Sequence, residues 1–226
     1  MSELTTPGLL RVLQLASPAL PIGAFAYSQG LEAAVELGFI RDEATAFEFL
    51  SGVLAHGLAR LELPLLARLQ SAFACGDDAA AERWSWLLLA SRETSERRAE
   101  EQQLGRALAR LLADQGVTEA GPWFRRANVT HVGMFALAGA RFSVPSGALA
   151  PAFAFAWAEN QAGALARLMP FGQLAAQRVL ARLGALVPAA CAAADALPDA
   201  DIGATLPGLA LASALHETQY SRLFKS

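Results

Sequence analysis

The segment that decides the fold runs from Asp42 to Leu65 and reads DEATAFEFLSGVLAHGLARLELPL. Its large apolar residues recur every three or four positions, which places them on one face of a helix. These positions are Phe47, Leu50, Leu54, Leu58, Leu61 and Leu65. Asp42 stands where a helix N-cap is expected, and Pro64 is expected to kink or divide the helix. The segment therefore predicts helical structure that buries a leucine stripe.

Helical patterns recur along the rest of the chain, whereas strand signals are weak because Ala and Leu dominate. Cap residues and helix breakers set the predicted limits. The predicted helices run from Thr6 to Ala16, from Ser28 to Leu37, from Asp42 through the leucine stripe, from Asp77 through Leu88, from Ser91 or Thr94 to Gln115, from Thr130 to Ala140, from Gly147 to Leu168, from Phe171 to Leu186, from Pro188 to Ala196 and from Pro207 to Glu217. No linker interrupts them, so we predict one all-α domain, a bundle of about ten helices.

Composition limits the possible functions. The chain has 226 residues, of which 54% are apolar and 17% charged, with a formal charge of −3. Disorder is disfavoured, and without a basic patch we expect no nucleic-acid partner. The longest uncharged apolar stretch, Phe142 to Ala158, contains two prolines and suits a buried helix better than a membrane span. Cys75 and Cys191 are far apart, as expected of reduced thiols in a cytoplasmic protein.

The motifs of common enzymes and metal sites are missing from the sequence. Lys225 is the one lysine among 18 basic residues, and there is no GxxxxGK[ST] phosphate loop. The histidines, His56, His131 and His216, lack a second ligand at metal-site spacing. We therefore predict no catalytic residue, no metal site and no cofactor, and we expect that the chain alone does not bind GTP.

Two segments have unusual composition. The opening loop, Ser17 to Glu32, reads SPALPIGAFAYSQGLE, and the tail, His216 to Ser226, reads HETQYSRLFKS. In the loop we expect Phe25 to pack into the core and the polar side chains to form an exposed recognition patch. The candidate partner-binding residues of the loop are Tyr27, Ser28, Gln29 and Glu32, and those of the tail are Tyr220, Arg222, Leu223 and Phe224. The tail is expected to be flexible or ordered by a partner, and the alternative is that it folds back on the bundle.

Two further polar segments interrupt the apolar pattern. The stretch from Ser91 to Gln103 favours i,i+4 pairs between Glu93 and Arg97 and between Arg97 and Glu101. We expect it to be exposed, either as a solvated helix or as a docking surface. The triplet Glu159-Asn160-Gln161 predicts an internal hydrogen-bond network or, alternatively, a polar strip at an interface.

Several separated motifs, taken in order, resemble the UreF family of urease accessory proteins. They are LLRVLQLA at 9–16, the opening loop, RETSERR at 92–98, AENQ at 158–161, PFGQ at 170–173 followed by Gln177-Arg178, and the tail. Two positions depart from the family pattern. Arg167 stands where lysine is usual, and Phe171 where leucine is usual. Arginine keeps the charge but not the hydrogen-bond geometry.

The resemblance implies an all-helical, non-enzymatic chaperone of urease maturation that works as a cytoplasmic homodimer. Family members bind UreD (UreH) and the nickel-carrying GTPase UreG, join them to apo-urease, and control GTP hydrolysis and nickel delivery. By this resemblance the loop is expected to face UreG and the tail UreD, and Glu93, Arg97 and Arg167 are further candidate contacts. The competing interpretations are an enzyme whose site is assembled from scattered residues and a membrane-associated helical protein.

Overall fold

The structure, a computed structural model, describes residues 4–226, and its regular structure is helical throughout. Its α-helices are α1 (Thr6–Ala16), α2 (Leu31–Glu36), α3 (Glu43–His56), α4 (Glu62–Cys75), α5 (Asp78–Ala90), α6 (Ser95–Asp114), α7 (Ala120–Phe124), α8 (His131–Arg141), α9 (Ser146–Leu168), α10 (Gly172–Asp195) and α11 (Pro207–His216). Short 3-10 helices lie at Ala24–Ala26, Leu58–Arg60 and Asp199–Asp201. Residues 4–226 contain no β-strand. The predicted all-α domain is confirmed.

The core lies where α4, α8, α9 and α10 meet. All residues of α8 from Val132 to Gly139 are buried, and this helix packs against α4 and α6. Helix α9 packs against α10 on one side and α1 on the other. The leucine stripe contributes Leu50, Leu54, Leu58, Leu61 and Leu65, which are all buried. The periodicity of this stripe therefore predicted one wall of the core.

Local capping fixes most helix starts where the sequence predicted them. Asp42 accepts a hydrogen bond from the Thr45 N–H at 2.8 Å and forms a capping box. Thr94 and Thr130 cap α6 and α8 through their hydroxyl groups. The N-cap of α1 is Thr5, so the predicted cap Thr6 is wrong by one residue.

Helix breaks follow the predictions less closely. The division between α3 and α4 lies at Gly57, where an added Cβ would come within 2.6 Å of the Val53 carbonyl oxygen. Pro64 instead sits in the first turn of α4, where its missing N–H needs no acceptor. The predicted helix start at Pro188 is wrong, because α10 runs through this exposed proline. Residues on both sides of it, Val187 and Ala190, are buried, and this packing offsets the lost backbone hydrogen bond.

One close helix contact requires a glycine. An added Cβ at Gly105 of α6 would come within 2.6 Å of the carbonyl carbon of Thr130 at the start of α8. The two backbones can therefore approach only because residue 105 has no side chain. This contact fixes the N-terminal half of α6 against the core and so positions the candidate site described next.

Two described segments have the length and hydropathy of a membrane span, Glu43–Cys75 and Gly172–Asp195. The first is interrupted by the break at Gly57, and 61% of its most apolar window is buried inside the protein. Buried core helices commonly have this composition, so the finding is weak support for a membrane-associated protein.

Candidate functional site

The opening loop, the start of α6 and the tail meet at one place, which we call the loop–tail junction (residues 17–32, 92–103 and 216–226). Left-handed backbone at Gly23 and Gly30, with φ of 79° and 84°, turns the loop toward the tail. The N–H groups of Ser28 and Gln29 donate to the main-chain oxygen of Ser226 at 2.8 and 3.0 Å. The unusual segments of the sequence therefore converge in space, although up to 198 residues separate them.

Glu32 is the central acceptor of the junction. Its Oε1 accepts the Leu223 N–H at 2.7 Å, and its Oε2 accepts the Phe224 N–H at 2.9 Å. The Ser28 hydroxyl accepts the N–H of Glu32 and donates to Ser226, which ties loop, helix and tail together. Helix α2 consequently begins at Leu31, and Ser28, the predicted cap, contributes from outside the helix.

A buried histidine connects the tail to two acidic side chains. The Nδ1 of His216 lies 2.7 Å from Glu96, and its Nε2 lies 3.3 Å from Glu32. Arg222 donates to the other oxygen of Glu96 at 2.6 Å. Glu217 accepts the Ser95 N–H and hydroxyl at 2.8 and 2.7 Å, so a tail residue adds a negative charge at the N-terminus of α6.

The predicted exposed patch of the loop is largely buried, which corrects that expectation. Tyr27 is 6% exposed, Ser28 fully buried and Glu32 8% exposed, while Gln29 is half-buried. Burial, aided by the charge of Glu100, raises the pKa of Tyr27, whose hydroxyl donates to Gln103. The polar side chains turn inward because the junction supplies a hydrogen-bond partner for each of them.

Phe25 is also placed differently from the prediction, since its side chain is 69% exposed and does not join the core. The turn at Gly23 brings the main chain of Phe25 against α9, where Arg167 donates to the Phe25 carbonyl at 3.1 Å. The side chain is consequently directed away from the bundle. The Arg167 guanidinium also lies 4.3 Å from the ring centre of Phe224.

The polar triplet of α9 serves partly as an internal network. Asn160 donates to the Tyr27 carbonyl at 3.0 Å, and Gln161 is 2% exposed. Burial raises the pKa of Glu159, whose carboxylate has no hydrogen-bond or ion-pair partner among residues 4–226. Of the three side chains, only that of Asn160 therefore forms a hydrogen bond of the predicted internal network among the described residues.

The segment from Ser91 to Gln103 is not the exposed helix that the sequence predicted. Arg92 is buried between two carboxylates, 2.6 Å from Glu62 and 2.6 Å from Glu101. Burial alone would raise the pKa of Glu101, but Arg92 holds it below its usual value. Arg97 also turns inward and lies 3.9 Å from Glu62, while Glu93 stays exposed. The predicted helical ion pairs are replaced by contacts with α4, which the sequence pattern of α6 alone could not reveal.

The tail lies against the bundle, which differs from the predicted flexible segment. Phe224 is 5% and Ser226 1% exposed, and the Lys225 N–H donates to the Ala26 carbonyl at 2.8 Å. Tyr220 and Leu223 instead face solvent, with 105% and 52% of their surface exposed. The alternative of a tail that folds back agrees with the structure, and its partner-binding role stays a prediction.

A cavity of about 110 Å³ lies beneath the opening loop. Its walls are mainly apolar and include Leu15, Leu20, Ile22, Phe135, Phe153 and Trp157. Glu100, His131, Asn160 and Glu159 also line it. Gln29 and Ser226 donate to Glu100, and burial raises the pKa of this carboxyl. Among residues 4–226, none of the described hydrogen bonds joins His131 to a hydroxyl, thiol or carboxylate group, and burial lowers the pKa of this histidine.

Sequence reasoning missed several residues of the junction. Glu96, Glu100, Trp157 and His216 each contact a predicted candidate, yet none was among the predicted partner-binding residues. Trp157 donates from Nε1 to the Gln29 side chain at 2.9 Å. A signal was present for Glu96 and Glu100, because they belong to the charged run that starts α6, and for His216, because it begins the tail.

Comparison with known proteins supports one family. Residues 40–184 match the family model described as UreF. A urease accessory protein UreF of Alkalilimnicola ehrlichii is 47% identical over 228 residues, which cover 100% of both chains. The urease accessory protein UreF of Azoarcus sp. (strain BH72) is 50% identical, and the match covers 96% of this chain and 95% of the relative. That of Chromohalobacter salexigens is 52% identical, and the match covers 96% of this chain and 94% of the relative.

Proposed function

Because the chain belongs to the UreF family of urease accessory proteins, we propose that it is a non-enzymatic adaptor in urease maturation. It joins UreD (UreH) and the GTPase UreG to apo-urease and controls GTP-dependent nickel insertion. It works as a homodimer in the cytoplasm. UreG supplies the nucleotide chemistry, and the chain supplies surfaces that hold the partners together.

The loop–tail junction is the observation that carries this proposal. Its hydrogen bonds fix the main chain of the loop and the tail, and Phe25, Tyr220 and Leu223 of these segments each have more than half of their surface exposed. Large apolar side chains fixed on a rigid scaffold are typical of protein-binding sites, because they lose little conformational entropy on binding. The junction therefore favours a docking surface for other proteins.

The two sides of the junction have separate roles in this proposal. Tyr220, Arg222 and Leu223 contact UreD, and the surface around Phe25, Glu93 and Arg167 contacts UreG. The buried and half-buried members hold these surfaces in place and do not bind partners directly; they are Tyr27, Ser28, Gln29, Glu32, Arg97 and Phe224.

Co-expression with UreD, UreG and the urease subunits tests the proposal. The double variant Tyr220→Ala/Leu223→Ala removes exposed apolar area and is expected to lower UreD recovery by about tenfold or more. Leu174→Ala is the matched control, since Leu174 is 79% exposed on α10, outside the junction. Both variants should keep the helical content of the parent chain. Unchanged UreD recovery would overturn the assignment of the tail, and failure of the parent chain to recover UreD or UreG would overturn the adaptor.

A further inference from the structure

We propose that the cavity beneath the opening loop is an anchor site for a partner protein, which inserts one large apolar side chain flanked by a basic residue. The inference rests on the proposed function for the partner's presence, but the cavity itself defines the chemistry. Three features of the cavity define this partner, namely its size, its one unpaired carboxylate and the exposed apolar surface around it.

Size and lining define the part of the partner that enters. The cavity measures about 110 Å³, and Leu15, Phe135 and Phe153 form apolar walls. Apolar protein cavities of about 150 Å³ bind a molecule as large as benzene. The present cavity is smaller but opens at the edge where Phe25 is exposed, so a leucine, methionine or phenylalanine side chain can enter part of the way and bury apolar surface.

Charge defines what lies beside the anchor. Glu159 lines the cavity, and its carboxylate has no hydrogen-bond or ion-pair partner among the described residues. Glu100, by contrast, accepts from both Gln29 and Ser226. An arginine or lysine adjacent to the anchor would pair with the free carboxylate, because a partly desolvated charge favours an opposite charge nearby.

The surroundings favour a protein over a small molecule. Phe25 lines the cavity and is 69% exposed at its edge. Helix α1, which contributes Leu15 to the wall, also exposes Leu10 and Leu13 by 62% and 57%. A ligand small enough for the cavity would leave this apolar surface in water, whereas a partner chain would cover it.

The first experiment measures the cavity with a defined probe, 2-phenylethylammonium, which carries a phenyl ring and a cation. The indole N–H resonance of Trp157, assigned with Trp157→Phe, should shift saturably because this indole lines the cavity and bonds to Gln29. Phenylacetate, which has the same ring and a negative charge, should bind about tenfold more weakly. The Glu159→Gln variant should likewise bind 2-phenylethylammonium about tenfold more weakly than the parent chain does. Glu48→Gln, an exposed carboxylate of α3, is the control.

The second experiment fills the cavity in the full chain. Ala156→Leu and, from the opposite wall, Ala24→Leu should abolish the probe shift and lower partner recovery about tenfold, whereas Ala181→Leu on the exposed face of α10 should change neither. Two filling variants are used so that, if one of them misfolds, the other still tests the proposal.

The outcomes separate the two proposals. No saturable shift with the ammonium, or equal binding of phenylacetate, overturns the anchor site whatever the partners do. If the parent chain shows the probe shift but the filled variants recover as much partner as the parent chain, the cavity is a small-molecule site. This result also overturns the anchor site. If the parent chain recovers no partner, the adaptor proposal fails, and with it the partner-anchor role.

Discussion

Glu32 and Phe224 are joined by a hydrogen bond across 192 residues of sequence, in which the Phe224 N–H donates to Oε2 at 2.9 Å. The same carboxylate also accepts the Leu223 N–H at 2.7 Å. The Glu32 side chain therefore accepts hydrogen bonds that water would otherwise accept from two backbone N–H groups of the tail. The consequences of this contact can be tested directly.

Glu32→Ala should loosen the tail without unfolding the bundle. The variant leaves the buried Phe224 N–H and the partly buried Leu223 N–H without their acceptor, and a buried unsatisfied group costs about 1–3 kcal/mol. Hydrogen exchange followed by mass spectrometry should show faster exchange in the peptide that contains Leu223 and Phe224, with α8 unchanged. The control is Glu48→Ala on the exposed face of α3. Unchanged protection of the tail peptide would mean that Glu32 does not hold it.

Arg92→Ala should destabilise the whole domain. Arg92 is buried between Glu62 and Glu101, so its removal leaves Glu101 without an ion-pair partner and leaves Glu62 with only the 3.9 Å contact to Arg97. Breaking such a pair from one side costs about 3–5 kcal/mol. Denaturant unfolding measures the loss, and Arg125→Ala, an exposed arginine, serves as the control. If Arg92→Ala lowers the free energy of unfolding no more than Arg125→Ala does, the two carboxylates are hydrated in the variant.

Two glycines should respond to alanine with opposite signs. Gly105→Ala places a Cβ within 2.6 Å of the Thr130 backbone, which cannot move aside, so we expect destabilisation of about 1–3 kcal/mol from overpacking. Gly52→Ala, within α3, meets no atom within 4 Å and should stabilise by about 0.5–1 kcal/mol. Thermal unfolding of both variants measures the sign. Equal shifts for the two would contradict the close contact between α6 and α8.

Stability should fall in acid partly because of His131. Burial lowers the pKa of this histidine, although the charge of Glu101 opposes the shift. The unfolded chain therefore binds a proton at this histidine more readily than the folded chain does. The stability that neutral His131 contributes is complete above the ordinary histidine pKa and is lost as the pH falls below it. His131→Phe keeps a ring beside Phe135 and Phe153 and should reduce the stability difference between about pH 8 and pH 5.

The control for this titration is His56→Phe, because His56 is exposed. Denaturant unfolding of the parent chain and of both variants at the two pH values gives the comparison. If His131→Phe keeps the full pH dependence of the parent chain, other groups account for it.

Features set by neighbouring residues were predictable from the sequence. The cap at Asp42, the leucine stripe after it and the end of α11 near His216 depend on contacts within a few residues. The continuity of α10 through Pro188 was missed because it depends on packing against α9. Local patterns therefore predicted the elements, whereas tertiary contacts decided where some of them end.

The sequence indicated which segments form the loop–tail junction but not how deeply their side chains are buried. Composition singled out the loop, the charged start of α6 and the tail, and these segments contact one another in the structure. A polar residue such as Ser28 or Arg92 is expected on the surface unless its buried partner is known, and those partners lie far away in sequence. The structure supplies the pairing, and the pairing explains the burial.

The late position of the tail in the chain has a consequence for biosynthesis. Ser28, Gln29 and Glu32 emerge from the ribosome long before Leu223, Phe224 and Ser226, which satisfy them. Until translation reaches these residues, a nascent bundle exposes an unmatched polar loop. The junction can therefore close only after Leu223 and Phe224 have been translated, and a chain terminated before them leaves Glu32 without these two donors.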